Sequence, residues 1–538
     1  MTTGRVVVIG IDGGTLDLIE PWAEAGHLPT FKRLMRRGCW GDLRSTFPPL
    51  TCPAWYSFST GMNPGKLGMF NFFCLEPGSY RVRMFDYRDL DGVPEVWDLL
   101  SDQGYTCGIV NNPIAYPPRE VSGYMVAGFR APSKRHQYAW PSELRDRLDE
   151  IAGGYEIDVP VGSEPDQTLA AALRVMSKRQ KVFLHLLRHD PTDFFLGVFT
   201  ATDRVCHQFL NQSAERMLPL FRQLDSNLAA IWDVLGPQDR LLVMSDHGFG
   251  PRRDGFYVNQ WLIDKGYLRL RPGREPFERL GLTVKRLRDL RDRLGLREYA
   301  LAARALGFLN RFLPFGSLEG KGQSILDLIK RGRIDWRHTK AVAIPDGIYL
   351  NTEDRPQGIV RRGTEAQALR AEIREGLAQI DHPCAGRRLR VSTYTPEELY
   401  WGPLVNRAPD VLWSIEDWSW GTIWNIPESG GWYGKLDLAH HRPNGLFMAA
   451  GPGIPAGARV ADVSITDLAP TVLGWMGVPI PEDMDGRPLE KIVPGDEGVS
   501  RRSDGTARTS TRESDSLSSA ASEEPEVWER LRGLGYLD

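Results

Sequence analysis

Asp203 and His207 stand four residues apart in TATDRVCHQFL, directly after the apolar run FFLGVF, and Asp246-His247 follow a second run in LLVMSDHGFG. Asp12 ends a third run, VVVIGID, and His440-His441 stand just ahead of a fourth, GLFMAAGPGI. Carboxylates and imidazoles without thiolates suit borderline divalent metals, Zn²⁺ first and Mn²⁺ or Fe²⁺ behind it. The set exceeds the roughly three protein ligands that one open catalytic site uses, so two metal ions sharing it is the natural division. His440 and His441 are adjacent and point opposite ways on a strand, so one of them is a bystander.

A nucleophile candidate lies in RSTFPPLTCPAWYSFSTGMNPG. Pro53 suits the first turn of a helix, which puts the Thr51 hydroxyl at a helix amino end, where backbone N–H groups favour anions such as a phosphoryl group. A hydroxyl is a poor nucleophile at neutral pH, but metal coordination favours its alkoxide. Taken singly, Thr51 reads equally as a helix cap, and Asp203 with His207 as a capping acid and a packed histidine. Asp246-His247 at a strand end is the stronger signal, because two polar groups there otherwise need buried partners.

These residues need a scaffold that brings distant strand ends together. Short apolar runs (VVVIGI, YTCGIVN, FFLGVF, LLVM) alternate with helical patterns such as LPTFKRLMRRG, VPEVWDLLSDQG and DQTLAAALRVMSKRQKVFLHLLR. That rhythm predicts an α/β fold with a mostly parallel central sheet flanked by helices, in which ligands collect at the carboxyl ends of the strands. The expected catalytic core is 1–261 together with 436–492. The segment 262–435 breaks the rhythm and reads as an inserted cap, with strand candidates in KAVAIPDGIYLN and RAPDVLWSI and an Arg-rich helical stretch over 277–313. There Leu280, Val284, Leu287 and Leu294 share one helical face. The arginines read first as a solvated face, with contact to an anionic substrate or a membrane interface as the other uses. Residues 493–524 are rich in Ser, Arg, Asp and Glu and predict a disordered linker, and 525–538 a short helix that docks back.

A net charge of −3, from 66 basic and 69 acidic residues, removes the general argument for nucleic-acid binding. The six cysteines lack C-x-x-C spacing, which argues against a zinc ribbon or a disulfide scaffold and for a reducing compartment. No stretch is long and apolar enough to span a bilayer, so the expectation is a cytoplasmic, non-spanning enzyme. The anion-favouring helix end at Thr51 would suit a small phosphoryl-bearing molecule as its partner.

The sequence resembles the alkaline phosphatase superfamily, and within it the type I phosphodiesterase/nucleotide pyrophosphatase group. The ordered matches are IDGG, FPPLTCPAW, TDRVCH, SDHGF and HRPNG ahead of AAGPGI, with softer likeness over most of residues 5–492. The resemblance implies that Asp12, Thr51, Asp246 and His247 surround one metal, and Asp203, His207 and His441 the other. It favours His441 over His440, makes Thr51 the nucleophile of a phospho-threonine intermediate, and implies a phosphodiesterase or pyrophosphatase. A phosphomonoesterase and a phosphoryl or head-group transferase share the fold and stand as alternatives. Two departures stand out. Pro53-Ala54-Trp55 follows Thr51 where the family has an Asn for a phosphate oxygen, and Leu67 replaces a family His, which turns attention to Lys66 or Asn63 as anion contacts. Cys52 reads as a small buried residue, and Trp55, Trp401 and Trp432 as candidate specificity aromatics.

Overall fold

Runs such as VVVIGI and FFLGVF carry no polar alternation, and a strand of that kind is stable only with both faces covered. The computed structural model describes residues 4–271 and 324–492, except 86, 91, 161–163, 346 and 429, together with Arg501, Arg502, Val527 and Leu531. Within it the strands Val6–Ile11, Phe194–Phe199 and Cys107–Asn112 are buried at every position. Alternate side chains serve opposite layers. Val6 and Val8 pack with Trp55 and Phe58 on one face, whereas Val7, Ile9 and Ile11 pack with Phe31, Leu34 and Phe183 on the other.

The fold is mixed α/β, with a central, mostly parallel sheet between two helical layers. Its order is Ala458–Arg459, Cys39–Arg44, Asn444–Ala450, Arg240–Met244, Val6–Ile11, Phe194–Phe199, Cys107–Asn112, Gly123–Ala127 and Ala139–Trp140, with Val463–Ser464 pairing off Cys39–Arg44. The strands from Arg240–Met244 to Gly123–Ala127 run parallel to one another. Arg240–Met244, Val6–Ile11 and Phe194–Phe199 are neighbours, so their carboxyl ends, which lead into Asp246, Asp12 and Asp203, lie side by side. Asn444–Ala450 is antiparallel to both of its neighbours, which brings its amino end, just after His441, to that same edge. Cys39–Arg44 therefore runs with the parallel set, and its carboxyl end leads to Thr51 there.

A second, five-stranded sheet has the order Val391–Tyr394, Leu412–Ile415, Trp420–Ile423, Asp254–Tyr257 and Tyr433–Lys435, with its own core around Trp261, Ile373 and Trp413. Asp254–Tyr257 already belongs to it, ahead of the expected boundary at 262. The reason is local: once the chain has left the metal-ligand loop, Phe256 and Val258 have their apolar partners in the second core. The Arg-rich helices of 277–313 lie outside the described residues, as does the linker over 493–524 except for Arg501–Arg502, which pair with Ile480–Pro481. Of the expected docking helix, Val527 and Leu531 are helical, one turn apart, and buried in the main core. Among the described residues no helix is long and apolar enough to cross a membrane.

Gly10 is where the helix Thr51–Thr60 comes closest to the central strand: a Cβ there would stand 2.3 Å from Trp55 Cη2. Gly10→Ala therefore overpacks the contact, and a loss of roughly 1–3 kcal/mol in urea unfolding is expected. Wild-type stability would show that the helix does not pack this closely.

Candidate active site

Six buried side chains meet at the sheet edge as two triads, Asp12, Asp246 and His247 in one and Asp203, His207 and His441 in the other. In each triad one donor atom per residue lies within 4.8 Å of the other two. His247 Nε2 stands 3.2 Å from Asp246 Oδ2 and 3.7 Å from Asp12 Oδ1. Asp203 Oδ1 stands 3.4 Å from His207 Nε2 and 3.2 Å from His441 Nε2. All six sequence candidates converge. The adjacent histidines differ: His441, paired with Phe249, brings its Nε2 to Asp203, while His440 is half-buried with its ring 5.5 Å from that of His207 and is not part of either triad.

The protonation pattern follows from backbone carbonyls, which can only accept. His207 Nδ1 donates to Ala439 O at 2.8 Å, His441 Nδ1 to Pro49 O at 2.9 Å, and His247 Nδ1 to Gly248 O at 3.1 Å. With Nδ1 committed to a carbonyl, each ring turns its Nε2 toward the carboxylates. Nε2 of His207 and of His441 are 3.3 Å apart. Both carboxylate oxygens of Asp12, Oδ1 of Asp203 and Oδ2 of Asp246 are buried without a hydrogen bond. Converging lone pairs with no donor between them form an arrangement that a cation completes, so the residues present fit divalent metal ions.

The electrostatics agree. Burial, with the neighbouring Asp246 and Asp203 carboxylates, raises the Asp12 carboxyl well above its ordinary range, and burial raises Asp246 to about 7. Burial lowers His247 to about 4 and His441 to about 3, keeping both neutral. Asp203 goes the other way. Burial opposes its charge, yet His207, His441 and the adjacent Arg204 hold it well below the usual carboxylate range. Arg204 is 2% exposed, binds Asp203 Oδ2, reaches Asp158 at 3.1 Å and lies 5.0 Å above the Phe129 ring. Sequence reasoning missed this arginine, although it stands inside TDRVCH. Asp158 gave no signal at all.

Thr51 is the first residue of the helix Thr51–Thr60 rather than its cap, which is Leu50. Its hydroxyl, 1% exposed, lies 3.3 Å from His247 Nε2. Likewise the cap position of Ala201–Phe209 is Thr200, leaving the Asp203 carboxylate for the site. Cys52 is buried, and burial pushes its thiol up to about 12. Other expectations are corrected. Lys66 pairs with Asp485 at 2.8 Å, and Asn63 both bonds Asp485 and caps a short helix, so neither is held ready for an anion. Trp55 is wholly buried against Gly10, Trp401 donates to Asp485, and Trp432 donates to Asp264. The tryptophans that approach the site are Trp413, Trp418, Trp420 and Trp424, in a cavity that His441 also lines.

A raised carboxyl favours the protonated form in the folded chain, so its burden on stability is absent below the unfolded value of about 3.9 and grows until the folded value is passed. For Asp246 that window runs from about 4 to about 7. Metal-free Asp246→Asn should accordingly match metal-free wild type near pH 4 and exceed it at pH 8 by on the order of a few kcal/mol. Urea unfolding with chelator present reads the difference, and a gap that stays constant with pH would refute the argument.

The sequence model of the family described as type I phosphodiesterase/nucleotide pyrophosphatase matches residues 6–425. No curated protein matches the chain in sequence. Among solved structures, phosphonoacetate hydrolase from Sinorhizobium meliloti 1021 in complex with phosphonoacetate superposes with a TM-score of 0.54 at 16% identity, covering 87% of this chain and 94% of that one. Its complex with phosphonoformate gives a TM-score of 0.52 at the same identity and coverage. Human ectonucleotide pyrophosphatase/phosphodiesterase 5 is 14% identical over 91% of this chain and 98% of its own, with a TM-score of 0.49. The hydrolase shares the fold, which is alkaline phosphatase-like, and the family match extends from the first strand of the central sheet well into the second sheet. The chain belongs to the type I phosphodiesterase/nucleotide pyrophosphatase family of phosphoric ester hydrolases.

Proposed function

We propose that the chain is a two-metal phosphodiesterase or pyrophosphatase that works through a phospho-threonine at Thr51. The observation that carries this reading is the Thr51 hydroxyl, buried at a helix amino end and 3.3 Å from His247 Nε2, beside two Asp/His triads. Asp12, Asp246, His247 and the Thr51 hydroxyl would hold one cation, and Asp203, His207 and His441 the other, with Zn²⁺ the first choice of these donors and Mn²⁺ or Fe²⁺ next. Bound there, the cations would favour the Thr51 alkoxide and neutralise charge on the phosphoryl oxygens.

The protein's own contribution is positioning. The amino end of Thr51–Thr60 presents its dipole to the phosphoryl group, and the helix is pinned to the central strand through Trp55 and Gly10. The three Nδ1–carbonyl bonds keep the imidazoles from turning, which holds the hydroxyl and the carboxylates in one register. Attack of Thr51 Oγ1 on phosphorus, in line with departure of the alcohol on the far side, forms the phospho-threonine. Water then attacks the phosphorus, regenerates Thr51 and releases a phosphomonoester from a diester. In this reading the main-sheet segments are the catalytic core, and the region from the strand Asp254–Tyr257 to 435 is a cap that selects the substrate.

Thr51→Ala should lower hydrolysis of bis-p-nitrophenyl phosphate by at least about 10³-fold while unfolding and metal content stay near wild type. Retained turnover would remove Thr51 from its role. Elemental mass spectrometry should find about two divalent ions per chain, with chelator-sensitive diesterase activity that exceeds p-nitrophenyl phosphate hydrolysis. Failure to bind metal after reconstitution with Zn²⁺ or Mn²⁺ would sink the proposal.

A further inference from the structure

Arg204 is a buried charge that belongs to neither triad. It follows Asp203 on the helix Ala201–Phe209, which also carries His207, and its side chain folds back so that Nη1 donates to Asp203 Oδ2. The other carboxylate oxygen, Oδ1, stands 3.4 Å from His207 Nε2 and 3.2 Å from His441 Nε2, and it is buried without a hydrogen bond. The two oxygens of this ligand candidate thus face different partners, a fixed cation on one side and two imidazoles on the other.

An arginine beside a metal ligand repels the metal unless its own charge is met elsewhere. Asp158 meets it. Its side chain is 5% exposed, and its Oδ2 accepts from Arg204 Nη2 at 3.1 Å and from Nε at 3.3 Å, while its Oδ1 accepts from Thr200 Oγ1 at 3.2 Å. The segment that brings Asp158 is itself held, because Arg179 donates to the carbonyls of Glu156 and Ile157, each at 3.0 Å. The Phe129 ring supports the guanidinium from below at 5.0 Å. Asp158 and Arg204 then form a neutral unit, and the charge of Asp203 is left for a cation. Only the planar fork of an arginine spans two carboxylates in this way, since an ammonium is a single point of charge.

We propose that Arg204 is a positioning residue that reserves Asp203 Oδ2, so that Asp203 offers a bound metal ion the single oxygen Oδ1 rather than both, an assignment that rests on the two-metal reading above. Three single-atom donors, from Asp203, His207 and His441, leave the ion open to an oxygen of the substrate, and a low coordination number favours Zn²⁺ over Mn²⁺. Coordination by both Asp203 oxygens would close one of the open positions and move the balance towards Mn²⁺, which takes about six ligands rich in oxygen. The influence of Arg204 and Asp158 on the ion is exerted through Asp203, as hydrogen-bond partners of metal-bound carboxylates orient them.

The test needs no turnover. In a crystal structure of the zinc-loaded wild type, Asp203 should reach the ion through Oδ1 at about 2.0–2.2 Å, with Oδ2 still on Arg204. The variant to compare is Asp158→Asn with Arg204→Met, which removes the acid and the base together and so leaves no unpaired buried charge to unfold the chain. There Asp203 should turn both oxygens to the ion. Competition with a chelator should then show the preference for Zn²⁺ over Mn²⁺ falling by at least about 10-fold for one of the two ions and staying within about 2-fold for the other. Both Asp203 oxygens on the ion in the wild type would overturn the proposal, and that measurement stands whether or not the variant folds. An unchanged preference would overturn it too, as would equal losses of Zn²⁺ and Mn²⁺ affinity, which is what a merely structural role gives. If the two-metal reading is what fails, the wild type holds no ion between Asp203, His207 and His441, a result distinct from an ion held by both oxygens.

Discussion

Three carboxylates meet at one edge of the sheet with none of their surface exposed, and the rest of the structure is arranged around that fact. Asp12, Asp203 and Asp246 are each fully buried, and like charges without solvent repel strongly. Parallel pairing of three adjacent strands delivers them together, because each strand ends at the same edge and each is followed by an acid. Nothing local relieves Asp12, whose oxygens have no hydrogen-bond donor at all. The histidines do not relieve it as acids would, since burial keeps His247 and His441 neutral. In the metal-free chain protonation relieves it, since burial raises both Asp12 and Asp246, and on the proposed reading a cation would take the place of those protons.

That constraint explains the return of the chain. His441 arrives on the strand His440–Arg442, which pairs with Gly248–Gly250 just after His247, so the two histidines that stack at 3.6 Å come from segments nearly two hundred residues apart in sequence. The whole second sheet is inserted between them. Arg442 ties the Trp418 turn of that sheet to the same short strand that carries His441.

The legible part of the fold was whatever a strand end announces locally. Apolar runs followed by Asp or Asp-His located the edge of the sheet, and the order of the motifs was enough to name the family. What sets His441 apart from His440 in the structure is that its Nε2 reaches Asp203, a non-local fact that no spacing encodes. Lys66 and Asn63 misled because their partner, Asp485, lies more than four hundred residues downstream. Trp55 misled because a tryptophan beside a nucleophile looks like a substrate contact until Gly10 is seen to make room for it. The second sheet starting at Asp254 escaped notice because DGFY is too short to carry a period. The turn of Glu416, Asp417 and Trp418 consists of three consecutive left-handed residues that are not glycine, so composition offered no hint of it.

The two triads are not equivalent. Asp203 has a permanent counter-charge in Arg204, itself tied to Asp158 and stacked on Phe129, and so remains ionised in the buried site. Asp12 and Asp246 have only the Gly13 N–H, which reaches Asp246 Oδ1 at 3.1 Å. The charge of Asp203 is thus held by neighbouring side chains, whereas burial disfavours the charge of Asp12 and Asp246, which a cation bound there, as proposed, would restore. Thr51 belongs to the second kind of environment, bonded to His247. A hydroxyl placed there gives up its proton most readily when the neighbouring carboxylates have been neutralised, since an alkoxide beside two bare anions would add a third. Under the proposed mechanism this asymmetry would couple activation of Thr51 to occupancy of its own triad, and would leave the triad around Asp203 to hold the far side of the site in place.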